Sequence, residues 1–151
     1  MVTTVLATLI AVSLNASPEP QAATRRAAKD HVTVYRVSTC GCCGKWAEHL
    51  KRAGFNVTVN IVDNVDSVEA RHRVPERLRS CHVAFVGAYA VEGHVPADVI
   101  KDLLVKHPAD VDGIAVPGMP LGSPGMESPT PQPYEIIAFD KKGRLSIFAR
   151  R

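Results

Sequence analysis

A single mixed α/β domain is predicted by three observations. Hydrophobic residues make up 46% of the 151 positions and charged residues 22%, which suits one domain with its own core. β-Branched runs alternate with stretches of helical periodicity through the first two thirds of the chain. Gly and Pro then punctuate the segment boundaries where an α/β chain has to turn.

In chain order, His31 to Val37 (HVTVYRV) reads as a first strand, rich in β-branched residues. After the loop Ser38–Gly44, Trp46, Ala47, Leu50 and Ala53 recur at helical spacing. Glu48 lies four before Arg52, and Gly54 supplies a stop. Phe55 to Val62 reads as a second strand, parallel to the first because a helix joins them. Asn64 to Val74 reads as a polar helix halted by Pro75, with a further turn to Arg79. Val83–Val86 and Tyr89–Val91, joined through Gly87-Ala88, read as a hairpin. Pro96 suits the first turn of a helix carrying Val99, Ile100, Leu103 and Leu104, which stops before Pro108. The order βαβαββα is that of the thioredoxin and glutaredoxin core. From Gly113 to Pro133 the composition shifts, with six of the 11 Pro and four Gly, and this stretch is expected to be a long loop. Tyr134–Phe139 and Arg144–Ala149 then form a closing hairpin through Asp140–Gly143.

The formal charge of +3 is small and dispersed and gives no argument for nucleic-acid binding. The apolar run Val5 to Leu14 is too short to span a bilayer as a helix. Followed by small residues and Pro, it reads as a secretory signal peptide over residues 1–23, with 24–30 a charged spacer and 31–151 the domain. Export would place the mature chain in an oxidising compartment, the periplasm, with no stable membrane insertion after cleavage.

Four Cys and six His carry the chemistry. Cys40-Gly-Cys42-Cys43 contains a C-x-x-C directly after a strand and at the start of a helix, where free N–H groups and the helix dipole favour thiolate. Thiolate serves both disulfide exchange and soft-metal binding. Cys40 and Cys43 are therefore the candidate pair of an oxidoreductase and, with Cys42, candidate metal ligands. In oxidised, metal-free protein the i, i+3 pair Cys40–Cys43 is the expected disulfide. A structural staple, Cys40 to Cys81, is the alternative. Cys81-His82 falls just before the third strand, where a thioredoxin-like fold usually carries a cis-proline. A thiol and an imidazole there favour metal. His94 precedes the last core helix and is a further candidate, or else a solvated loop histidine. Met119 and Met126 offer thioethers, soft neutral ligands suited to Cu(I), or else cover an apolar patch beneath the loop. His49, His72 and His107 read as surface residues.

The segments Val34-Tyr-x-x-x-Thr-Cys-Gly-Cys-Cys-Gly-Lys-Trp46, Ser80-Cys-His-x-Ala84, Tyr89-x-Val-Glu-Gly-His-Val-Pro96 and Val116-Pro-Gly-Met-Pro-x-Gly-Ser-Pro-Gly-Met-Glu127 together resemble a bacterial family. Its members are exported metal-binding proteins that carry a domain of unknown function, the CopG-type copper-resistance proteins among them. The resemblance covers roughly His31 to Arg150. It implies a thioredoxin-like fold, a periplasmic location and a role in copper handling alongside other periplasmic copper proteins. It marks Cys40, Cys42, Cys43, Cys81, His82 and His94 as site positions, followed by Met119 and Met126. Copper suits adjacent thiolates with nearby thioethers better than zinc, which would need only four of these ligands.

Overall fold

The computed structural model describes residues 31–151; the signal-peptide and spacer assignments lie outside the described residues. Seven strands form one mixed sheet in the order β2-β1-β3-β4-β5-β6-β7. Strand β1 (His31–Val37) leads through α1 (Gly41–Arg52) to β2 (Asn56–Val62), which pairs parallel to it. Helix α2 (Asp66–Arg71) and a single 3-10 turn (Glu76–Leu78) precede the antiparallel hairpin of β3 (His82–Val86) and β4 (Tyr89–Gly93). Helix α3 (Ala97–Lys106) crosses over to β5 (Gly113–Val116), parallel to β4. Strands β6 (Glu135–Phe139) and β7 (Leu145–Arg150) close the sheet antiparallel.

The elements through α3 follow the expected βαβαββα order. Two segments differ. The stretch from Gly113 begins with β5, four buried residues that complete the sheet before the loop starts. Buried on both sides, Gly-Ile-Ala-Val has no polar alternation to betray a strand. The polar helix expected over Asn64–Val74 is confined to Asp66–Arg71, because Arg73 turns the chain out of helix with a φ of +58°.

Strand pleating assigns side chains to two cores. On one face Val34, Ala84, Val86, Val91 and Ile114 pack with Trp46 and Leu50 of α1 and Ile100 and Leu103 of α3. On the other face Val83, Ala90, Ala115 and Phe139 pack with Val74 and Leu78, in the segment that follows α2. The functional consequence lies in the strand directions. The C-terminal ends of β1, β4 and β5 and the start of β3 all fall at one end of the sheet. Cys40, Cys81, His94 and the loop after Val116 are therefore delivered to one place, although they are spread over some 80 positions of sequence.

Candidate metal centre

Helix α1 begins at the cysteine loop, with Cys40 as its N-cap. The backbone N–H of Cys43 donates to Cys40 Sγ at 3.3 Å, and the first turn carries no acidic residue. The positive end of the helix is thus left to act on sulfur. Arg36, at the end of β1, donates to the carbonyl oxygens of Val37 (3.0 Å) and Cys40 (3.2 Å) and fixes the strand-to-helix turn.

Cys40 and Cys43 form a disulfide, the pairing expected from their spacing at a helix start. Cys81 lies against both, its Sγ 3.0 Å from that of Cys40 and 3.2 Å from that of Cys43. Among the described residues these three sulfurs form a group lying mutually within 4.8 Å. Cys42 Sγ is half-buried, 3.5 Å from Cys40 Sγ. Burial, and secondarily the neighbouring Cys42, pushes the Cys81 thiol up from its ordinary range. No cis peptide bond occurs among the described residues.

His82 and His94 are both fully buried, their ring centroids 5.1 Å apart. His82 Nε2 lies 3.0 Å from the Gly93 carbonyl and His94 Nδ1 lies 2.8 Å from the Pro124 carbonyl. A carbonyl only accepts, so each of these nitrogens carries the proton. The remaining nitrogens, His82 Nδ1 and His94 Nε2, are left as buried lone pairs without a partner among the described residues. A carbonyl on one ring nitrogen fixes the tautomer and leaves the other nitrogen able to bind a metal. Desolvation, with His94 next in weight, drives His82 down to about 3, and desolvation lowers His94 as well, which favours the neutral rings. The tilted Trp46 ring, 4.7 Å from that of His82, walls the site, and its indole N–H donates to Val95 O at 2.8 Å.

The loop after β5 lies on this assembly. Gly125, with a φ of +88°, passes so close to α1 that a Cβ would meet Cys42 O at 2.8 Å and Trp46 N at 3.0 Å. Only glycine satisfies both conditions. Glu127 caps the turn by accepting from Gly125 N–H at 2.8 Å.

A family model described as "Protein of unknown function, DUF411" matches residues 78–126. Two solved structures titled copper resistance protein CopG, forms 1 and 2, superimpose with a TM-score of 0.75 at 39% identity. They cover 80% of this chain and 96% and 97% of their own. The chain belongs to the CopG-type family. Comparison with curated proteins gives no match.

In this CopG-type chain the structure groups Cys40, Cys43 and Cys81, sets Cys42 beside Cys40, and buries His82 and His94 with one free nitrogen each. The two imidazoles stand outside the 4.8 Å sulfur group. Met119 is 46% exposed, with a φ of +50°, and Met126 is half-buried on the same loop. Two residues of this region carry no spacing signal and are absent from the sequence-derived set: Glu69 and Glu92, both fully buried. The one available sign was a carboxylate at an inward position of β4, between Val91 and Gly93. Desolvation raises Glu92 to about 9 and raises Glu69 as well.

Proposed function

We propose that this chain is a periplasmic copper-binding protein that holds Cu(I) through Cys40, Cys42, Cys43 and Cys81, with His82 and His94 as further ligands, and serves copper resistance. The observation that carries the reading is the sulfur group of Cys40, Cys43 and Cys81, with Cys42 alongside. Three thiols meeting at a helix N-terminus form a soft donor set, and two buried imidazoles with free lone pairs add borderline donors. Metal uptake requires the Cys40–Cys43 disulfide in reduced form, because thiolate is the ligand. Cys42 and Cys43 are neighbours that cannot easily chelate one ion together, so bridging thiolates and more than one copper follow. Met119 and Met126 take the lesser part, as thioethers of the covering loop.

The strand order β2-β1-β3-β4, with α1 and α3 on one face, supports a thioredoxin-like core extended by β5, β6 and β7. The apolar segment Val5–Leu14 supports export, and no described helix is long and apolar enough to cross a membrane. Titles of the two similar structures, copper resistance protein CopG, support copper as the cargo.

Anaerobic purification from the periplasm, followed by metal analysis and a free-thiol count on one sample, tests the reading. Copper at a fixed stoichiometry, lost together with thiols on oxidation, is the expected result. Four free thiols without copper would overturn it. A second reading rests on Cys81 Sγ, 3.0 and 3.2 Å from the two disulfide sulfurs. The Cys81 thiolate would attack one of them and release the other as thiolate, giving a thiol–disulfide oxidoreductase built on Cys40 and Cys43. The copper reading is preferred because the two buried imidazoles with free nitrogens are donors that disulfide exchange does not use.

A further inference from the structure

The alternation of β3 and β4 places a second polar cluster on the sheet face opposite α1. Glu92 shares its face with Ala90, which packs against Val74 and Leu78, whereas His82 shares its face with Ala84 and packs on Trp46. Glu92 is fully buried, and its Oε2 has no partner among the described residues. Burying a carboxyl group without full hydrogen bonding is costly, so its one contact needs an explanation. That contact is Ser80 Oγ, 2.6 Å from Glu92 Oε1.

Ser80 Oγ is also 3.0 Å from the His82 carbonyl and 3.4 Å from the His82 N–H. A hydroxyl has one proton to donate and two lone pairs to accept with. Ser80 Oγ thus ties residue 80 to the backbone of residue 82 around Cys81, and Glu92 braces that hydroxyl from the opposite side. The adjacent Arg79 is held on the same side, its Nε donating to Val74 O at 3.1 Å and lying 3.8 Å from the buried Glu69 carboxylate. Cys81 itself accepts from Val37 N–H at 3.3 Å through its carbonyl.

We propose that Glu92, acting through Ser80, is a positioning residue that holds Cys81 against Cys40 and Cys43. It touches no sulfur. Its effect is to fix the backbone on both sides of Cys81, so that the fourth thiol meets a pair more than 35 positions earlier in the chain. The importance of this placement rests on the copper-binding reading, which it deepens by naming what preorganises the thiol set.

The test uses the full chain and variants Glu92→Gln, Glu92→Ala and Ser80→Ala, in two arms. In the metal-free arm a Cys42→Ser background, oxidised at Cys40–Cys43, leaves Cys81 as the sole thiol. Its alkylation by iodoacetamide is timed under native conditions, with circular dichroism and urea midpoints recorded. Glu92→Ala and Ser80→Ala are expected to alkylate about tenfold faster, the equilibrium worth of one buried hydrogen bond. Glu92→Gln, whose amide can keep the hydrogen bond to Ser80, is expected to stay near the parent rate. In the metal arm, with all four cysteines present and reduced, Cu(I) competition with a chelator is expected to show about 10- to 100-fold weaker binding for the two Ala variants. Glu92→Gln should bind like the parent. Should Glu92→Ala fail to fold, Ser80→Ala carries both arms. Parent-like alkylation and copper binding in the Ala variants overturn the positioning role, as does a Glu92→Gln variant as loose as Glu92→Ala. A parent that takes up no copper while the alkylation pattern holds overturns the copper reading and supports the positioning.

Discussion

The Arg79–His82 segment joins two buried polar clusters on opposite faces of one sheet, and they are built on different terms. On the α1 face the sulfurs contact chiefly one another, and the two imidazoles each keep one nitrogen unused. On the α2 face Glu92 uses an oxygen to bind Ser80, and Glu69 lies beside Arg79. Both clusters keep unsatisfied atoms, Glu92 Oε2 and both Glu69 oxygens among them, but in the second Ser80 carries the Glu92 contact on to the His82 backbone. Burial of reactive groups does not by itself mark a binding site. What separates the two is whether the unsatisfied atoms are ligands gathered at a helix N-terminus or hydrogen-bonding groups that fix a turn.

The comparison is broken most directly at the sulfurs. Cys81→Ser and His82→Ala should each lower Cu(I) affinity at least as much as loss of a supporting group does, about 10- to 100-fold. Chelator competition measures this, and circular dichroism should show the fold retained. Parent-like binding in both would move the site away from this end of the sheet.

The pH dependence of metal-free, reduced protein sharpens the contrast next. Glu92 stands at about 9 in the fold against an ordinary 4.5, so between these values the folded state keeps a proton that the unfolded chain has lost. Stability therefore falls as pH rises through that window, by about 1 kcal/mol per unit for one proton. His82 acts in the opposite sense, at about 3 against an ordinary 6.5, and costs stability as pH falls through that range. The urea midpoint should peak between pH 4.5 and 6.5, where the two slopes oppose. Glu92→Gln should flatten the alkaline limb, leaving what the raised Glu69 and Cys81 contribute. An alkaline limb unchanged in Glu92→Gln would show that Glu92 is already ionised in the fold.

Gly125→Ala tests the loop that covers the sulfur face. The new Cβ would lie 2.8 Å from Cys42 O in a backbone conformation with a φ of +88°. A loss of about 1–3 kcal/mol is expected in urea unfolding, with faster alkylation of Cys42. The smallest effect belongs to Met119→Leu. At 46% exposure this side chain should be replaceable with Cu(I) affinity changed less than about twofold, the range of a surface substitution. A larger loss would add its thioether to the ligand set.

Much of this was legible in the chain. The run His31–Val37, the cysteine loop and the Trp46–Leu50 periodicity announce a strand, a turn and a helix whose start presents sulfur, because local pattern encodes local structure. Strand β5 was hidden inside a Pro- and Gly-rich stretch, since four residues buried on both sides show no period. Glu92 was hidden for a different reason. A carboxylate next to the Gly-His pair looks like one more polar loop residue until the β3–β4 register sets it beside Val83, inside the sheet. His94 and Pro124 are likewise joined by the parallel pairing of β4 with β5, which no spacing rule reveals.

The separation of Cys81 from the other thiols also sets an order of assembly. Cys40, Cys42 and Cys43 lie within one turn of chain and can meet before any sheet exists, whereas Cys81 arrives only when β3 has paired with β1. Closing that long loop is the slow event, and short-range contacts precede it. A newly made chain therefore first offers three neighbouring thiols, and gains the fourth only on reaching the native state. On the proposed copper reading, the timing of metal delivery relative to folding decides which of these two forms meets the ion.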